Sequence, residues 1–155
     1  QPFNEQALGY IYAEVLQSEK KFDRALEVLH EISADQITAI SIADIELLMG
    51  DFDAAIETTE DVENEDDATA MLLILRGIAF REKKLLDSSL ECFKRALKEK
   101  DRSEALLHRA LFERAETYLR MKRKAMARKD LERILVDEPN YPEVSEKLKS
   151  ISSIN

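Results

Sequence analysis

Breakers of regular structure are scarce in this chain. There are three Gly and three Pro among 155 residues. An all-β fold needs more turns than that supply allows, and Ala, Leu, Glu, Lys and Arg, the strong helix formers, dominate instead. Cysteine is represented once, by Cys92, so an internal disulfide framework is excluded and a reducing compartment suits the chain. Trp is absent. No apolar run approaches the ~18 residues of a membrane span, since Ala70-Met71-Leu72-Leu73-Ile74-Leu75 is cut by Arg76. Gln1-Pro2-Phe3-Asn4 lacks the basic and apolar regions of a signal peptide, and the cytoplasm is the default expectation. An initiator Met is also missing, which suits a piece of a longer protein or a processed one.

What is present is a folded composition, 45% hydrophobic and 35% charged, too apolar for a disordered chain. The net charge of −9 is unevenly divided. Residues 1–69 carry 3 basic and 18 acidic side chains, net −15, while residues 70–155 carry 20 and 14, net +6. The molecule is expected to be electrically polar along its length.

Apolar residues recur with helical spacing: Leu8, Ile11, Tyr12, Val15 and Leu16; Phe22, Ala25, Leu26 and Leu29; Ile40, Ala43, Leu47 and Leu48. The breaks are short, at Ser33-Ala34-Asp35, Met49-Gly50-Asp51, Asn64 to Asp67, Lys100 to Ser103 and Glu138-Pro139-Asn140. Asp35, Asp51, Asp66 or Asp67, Ser103 and Asn140 can each cap a following helix. The pattern predicts nine helices, near 4–18, 21–32, 36–49, 52–63, 67–83, 86–100, 104–121, 124–137 and 142–153.

Short helices in strict alternation with tight turns suggest stacked hairpins, which makes internal repeats the next test. Gly50-Asp51-Phe52-Asp53-Ala54-Ala55-Ile56-Glu57 resembles the inter-helix turn of a tetratricopeptide repeat. Lys21 to Glu27, Leu86 to Glu91 and Lys124 to Lys129 align with it. The small anchors Ala25, Ala55, Ser89 and Ala127 lie 30, 34 and 38 residues apart, against a family period of about 34. The first repeat reads as trimmed in its second helix and the third as extended by about a turn. Twelve residues before each anchor stands another small residue: Ala13, Ala43, Gly77 and Ala115. Three further on come Leu16, Glu46, Phe80 and Tyr118, where the family favours Tyr. The signature Pro appears as Pro139.

The resemblance implies an all-α fold, a right-handed superhelix of antiparallel helix pairs forming a TPR-like α-solenoid. It implies one domain over 1–155, with repeats near 6–35, 36–69, 70–107 and 108–141 and a solvating end helix near 142–154. Each hairpin buries its faces only against neighbours, and the stack leaves a concave groove lined by the first helix of each pair.

Catalytic chemistry is not recognisable. His30 and His108 stand in separate predicted helices, without a nucleophile and base at a familiar spacing, and read as surface or interface histidines. Cys92 precedes Phe93 in a core-facing helix and reads as a small hydrophobe. One Cys and two scattered His supply no metal ligand set, and the acidic run Glu63 to Asp67 lacks a calcium-loop pattern. No enzyme, cofactor or metal is expected. The basic stretch Arg120-Met121-Lys122-Arg123-Lys124, continuing to Arg128 and Lys129, reads as a solvated turn. Without interleaved aromatics it offers no base-stacking platform, and neither nucleic acid nor membrane is an expected partner.

Carrying the family's groove positions across gives four sets at spacings of three and four: Ala7, Tyr10, Glu14 and Gln17; Ile37, Ile40, Asp44 and Leu47; Met71, Ile74, Ile78 and Arg81; Arg109, Phe112, Glu116 and Leu119. Relatives that grip chaperone C-termini use a Lys, Asn and Arg clamp. Here Tyr10 and Glu14 stand in place of Lys and Asn, Ser41 replaces another Asn, and Met71 and Leu75 replace Lys and Arg. That ligand is disfavoured. The groove reads as apolar in the middle and acidic toward the N-terminal end, which suits an apolar peptide or amphipathic helix with basic flanks. Self-assembly, as a homodimer or end to end through the oppositely charged halves, is the alternative. An activity located elsewhere in a larger protein is the third reading.

Overall fold

The computed structural model describes residues 5–32 and 35–153. Among them are nine helices: α1 (Glu5–Ser18), α2 (Phe22–Glu31), α3 (Gln36–Leu48), α4 (Phe52–Thr58), α5 (Asp67–Glu82), α6 (Leu86–Lys98), α7 (Glu104–Arg120), α8 (Lys124–Asp137) and α9 (Val144–Ser153). Helices pair as α1–α2, α3–α4, α5–α6 and α7–α8, each pair packs on the next, and α9 packs on α8. This is a TPR-like α-solenoid, as the resemblance implies. A start at residue 4, the break at Ser33-Ala34 and an end helix reaching 154 fall outside the described residues.

The hairpin turns are the clearest sign of repetition. Each first helix ends in a Schellman motif whose αL residue is Lys20 (φ 61°), Gly50 (φ 76°), Lys84 (φ 64°) or Lys122 (φ 62°). The amides after these residues close onto carbonyls five back, Lys21 to Leu16, Asp51 to Glu46, Leu85 to Phe80 and Arg123 to Tyr118. Only Gly50 adopts this conformation without a steric cost, and the three lysines carry it because the surrounding turn imposes it.

The small-residue ladder explains why the hairpins close. Ala25, Ala55, Ser89 and Ala127 are fully buried. Opposite them, Ala13, Ala43 and Ala115 are buried as well. At Gly77 a β-carbon would meet the Phe93 ring at 2.6 Å, so glycine is the residue that lets α5 approach α6. Three apolar clusters run along the stack. Leu16, Val28, Leu29, Ile42 and Ile45 hold the first, Leu73, Ile74, Phe93 and Leu97 the second, and Tyr118, Leu131, Ile134, Val144 and Ile151 the third.

The helix starts follow the sequence with one exception. Asp35, Asp51 and Ser103 accept from backbone N–H groups two or three residues into their helices, at 2.8, 3.2 and 3.3 Å. Asp66 rather than Asp67 caps α5, in a capping box with Thr69. Asn140 does not cap α9, which begins at Val144. Pro142 disfavours helical geometry at Tyr141, and Glu143 adopts φ 67°, so the helix starts only beyond it.

A second correction concerns α4. It ends at Thr58, five residues short of expectation, and at seven residues it is shorter than α2 at ten. The Thr59 hydroxyl folds back onto the Ala55 carbonyl at 2.8 Å, and Asp61 turns the chain with φ 57°. Arginines from the second half then take over the freed carbonyls. Arg76 donates to Ile56 at 2.6 Å and Arg95 to Val62 at 2.8 Å, while Arg102 donates to the Asn64 side chain at 2.8 Å. The basic half is thus partly spent on fastening the acidic half.

Glu46 occupies a position where the family favours Tyr. It is buried and accepts from the Thr58 hydroxyl at 2.6 Å. Burial pushes its carboxyl above the usual range, against the opposing effect of that hydrogen bond. The folded state therefore holds this proton more tightly than the unfolded chain. The stability Glu46 contributes is complete below its unfolded value and is lost as pH rises through its folded one. Glu46→Gln keeps an acceptor for Thr58 and removes the titration. Its melting temperature should exceed that of the parent at pH 7 by more than at pH 4. A gap independent of pH would show that desolvation of Glu46 is not what sets its contribution.

Candidate interaction groove

The four predicted groove sets fall on α1, α3, α5 and α7, the first helices of the four pairs. They occupy equivalent registers, because the offsets of 30, 34 and 38 residues that relate the turns relate these sets too. Glu14 and Ile37 are exposed, Ile37 at 62%, and Tyr10, Ile40, Asp44, Leu47, Met71, Ile78, Arg109, Phe112 and Glu116 are half-buried, as are Ala7, Gln17 and Leu119.

Two residues must be withdrawn from the expected lining. Ile74 is 1% exposed and belongs to the cluster with Leu73, Phe93 and Leu97. Arg81 is 6% exposed, its guanidinium donating to the Glu113 carboxylate at 2.9 Å and to the Glu113 backbone carbonyl at 3.1 Å. The α5 register is enclosed because α5 packs against α3, α4, α6 and α7 together. Residues at the helix spacing of a groove then become interior residues on this one helix.

At the N-terminal end an open hollow of about 510 Å³ lies among Glu14, Gln17, Lys20, Phe22 and the exposed Leu48. Leu48 was missed as a lining residue because the helical spacing places it outside the groove set; only the packing of α3 beside the first turn exposes it there. Tyr10 is less available than expected, since its hydroxyl shares hydrogen bonds with Asp35 and Thr38 at the start of α3.

At the C-terminal end the chain supplies its own cover. Tyr141 lies against Phe112 with ring centroids 5.9 Å apart. Lys147 of α9 stands 5.4 Å over the same ring and pairs with Glu116. A hollow of about 380 Å³ remains beside them, between Arg109, Phe112, Glu138 and Tyr141. Tyr141 and Lys147 were invisible to the register argument because they come from the segment after the last pair.

The remaining chemistry-bearing residues fall outside the groove. Cys92 is buried, and burial pushes its thiol up to about 11, so it is an unreactive packing residue as expected. Of the two alternatives, surface or interface, His108 takes the second: it is 2% exposed between α7 and α8, with Asp137 Oδ2 at 3.0 Å from Nε2. In the basic stretch, Arg120 is committed to Glu82 through two contacts of 2.9 and 3.1 Å. Those contacts hold the Glu82 carboxyl below its usual range. No described helix is long and apolar enough to cross a membrane.

No curated protein matches the chain in sequence. Residues 109–141, which span α7 from Arg109 onward, the whole of α8 and the turn to Tyr141, match the family model for the tetratricopeptide repeat. With four hairpins closed by equivalent αL turns over buried small residues, the chain is a TPR-like α-solenoid in which residues 109–141 match the tetratricopeptide repeat.

Proposed function

We propose that the chain is an interaction scaffold whose groove, along α1, α3, α5 and α7, binds an apolar peptide or an amphipathic helix with basic flanks. Tetratricopeptide repeats serve as a family for protein–protein interaction, and the finer reading rests on one observation. Ile37, Ile40 and Leu47 of α3 and Met71 and Ile78 of α5 remain at least partly exposed on the groove registers of two successive pairs, forming an apolar band left partly uncovered among the described residues. Glu14 and Asp44 lie beside it, and the first 69 residues carry net −15, which favours basic flanks on the occupant.

The test is selection of binders from a displayed library of helical peptides, followed by substitution in the groove. Ile40→Asp and Ile78→Asp should keep the helical signal and lose the selected peptides by about ten-fold or more. Ile74 is unsuitable for this purpose, because Ile74→Asp would bury a charge and unfold the second cluster. Unchanged affinity in both groove variants would exclude the groove as the site.

Self-assembly is the second reading, and one observation favours it. Leu8, Ile11, Tyr12 and Val15 form a stripe on α1 that is 47–54% exposed. The equivalent residues of α3 are Thr38, Ser41, Ile42 and Ile45; Ser41 is half-buried and the other three are buried, Ile42 and Ile45 against the preceding pair. Among the described residues, the α1 stripe is therefore a stacking face with no helix pair packed on it. Sedimentation at low and high salt separates the readings: a monomer in both conditions excludes association through this stripe.

A further inference from the structure

Burial of an imidazole among carboxylates is the least explained feature of the molecule. His108 lies one turn into α7, with Glu104 a turn before it on the same helix and Asp137 and Glu138 at the end of α8. Glu104 Oε1 is 3.7 Å and Asp137 Oδ2 3.0 Å from Nε2, while Glu138 Oε1 is 3.6 Å from Nδ1. Nδ1 is buried and has no hydrogen-bond partner among the described residues. Asp137 and Glu138 also end α8, where the helix dipole is negative and carboxylates are disfavoured unless a cation stands beside them.

We infer that Glu104, His108 and Asp137 form a binding site for a divalent transition-metal ion of the zinc type. The donor atoms Glu104 Oε, His108 Nε2 and Asp137 Oδ lie within 4.8 Å of one another. Two ligands each ~2.1 Å from a zinc ion at the tetrahedral angle stand ~3.4 Å apart. The separations of 3.0 and 3.7 Å from Nε2 bracket that figure, and the Glu104 and Asp137 oxygens, within 4.8 Å of each other, can close further because the Glu104 side chain is exposed.

The metal resolves the position of both imidazole nitrogens. A neutral imidazole that donates from Nε2 to Asp137 leaves Nδ1 as a buried acceptor facing a carboxylate. With Nε2 on the metal, the proton sits on Nδ1 and points at Glu138, which becomes the outer carboxylate that orients a ligating histidine. The ion has an entry path, because the Glu104 side chain is 64% and the Asp137 side chain 33% exposed. A cavity of about 210 Å³ adjoins the three ligands and leaves room for a water in the fourth position. Of the cations around that cavity, Arg114 is neutralised by Asp130 through bonds of 2.7 and 2.8 Å. Lys100 and Arg133 also line it and should hold the affinity to the micromolar range. The nitrogen ligand selects zinc over magnesium or calcium, which prefer all-oxygen sites.

Titration calorimetry of the whole chain with Zn²⁺ at neutral pH tests this, with Mg²⁺ as the comparison. One Zn²⁺ should bind per chain, with a rise in melting temperature and a shift of the His108 ring nitrogens in the NMR spectrum. Glu104→Gln, at an exposed side chain, should fold normally and weaken binding at least about ten-fold, and Glu138→Gln should weaken it less. Cys92→Ser and His30→Ala should bind like the parent. The assignment is overturned by any one of four results: no saturable uptake, full affinity in both Glu104→Gln and Asp137→Asn, equal affinity for Mg²⁺, or a Zn²⁺-induced shift at His30 instead of His108. A His108 that is merely charged within its acidic cage gives the first of these.

Discussion

Phe93→Ala should lower the unfolding free energy by about 3–5 kcal/mol, read as a fall in the urea midpoint at unchanged slope. Phe93 is fully buried and fills the space opposite Gly77, where the hairpin of α5 and α6 closes. Removing the ring costs its transfer from water and leaves a cavity that rigid helices cannot collapse into. Such a loss is a large share of the ~5–15 kcal/mol that holds a typical domain folded. The converse change is also unfavourable. Gly77→Ala improves helix propensity by up to about 1 kcal/mol but drives a methyl into the Phe93 ring, for a cost of about 1–3 kcal/mol. Because both changes act on one contact, Gly77→Ala combined with Phe93→Leu should be less destabilising than the two single effects added. Additive losses would show that the ring and the glycine do not share a packing constraint. Gly9 provides the contrast. A β-carbon there meets only the Ile32 side chain, Cδ1 at 2.8 Å and Cγ1 at 3.1 Å, and that side chain can move away. Gly9→Ala should therefore be neutral or mildly stabilising.

The second large effect is expected at Arg81 and Glu113. The guanidinium is almost wholly enclosed, and the Glu113 side chain is only 13% exposed. Glu113→Ala leaves a buried cation with one backbone carbonyl and a distant Glu82 carboxylate, 3.5 Å from Nε, as partners. The loss should be about 3–5 kcal/mol, because desolvation of the remaining charge is no longer offset. Replacing both residues by apolar ones of similar size, as in Arg81→Met with Glu113→Leu, should restore most of the stability. If Glu113→Ala costs less than about 1 kcal/mol, the pair is more hydrated than its burial implies. This pair joins α5 to α7, so its loss should also loosen the groove between them.

The sequence was most informative about elements whose determinants are local. Asp35, Asp51, Asp66 and Ser103 start helices through their own side chains, and the small residues at 25, 55, 89 and 127 mark each hairpin because no larger residue lets two helices approach. The αL turns at 20, 50, 84 and 122 repeat the same offsets, although only one of them carries the glycine that would have announced it. The early end of α4 was only partly legible: Thr59 and Asp61 act locally, but Arg76, Arg95 and Arg102, which hold the segment that follows, lie 20 to 38 residues from their partners. The groove was legible as a register and not as a surface. Helical spacing places Ile74 and Ile78 on one face, yet burial separates them, and Phe112 is partly covered by a segment that no repeat offset connects to it.

Local chemistry and periodicity therefore determined the all-helical hairpin array, its caps and its closing contacts, because each of these is decided within one turn or one helix pair. The tertiary structure alone decided which groove residues meet solvent, which charges were buried as partners, and that His108 sits among three carboxylates. Those outcomes depend on the distance between helix faces that are remote in sequence, a quantity that no spacing along the chain contains.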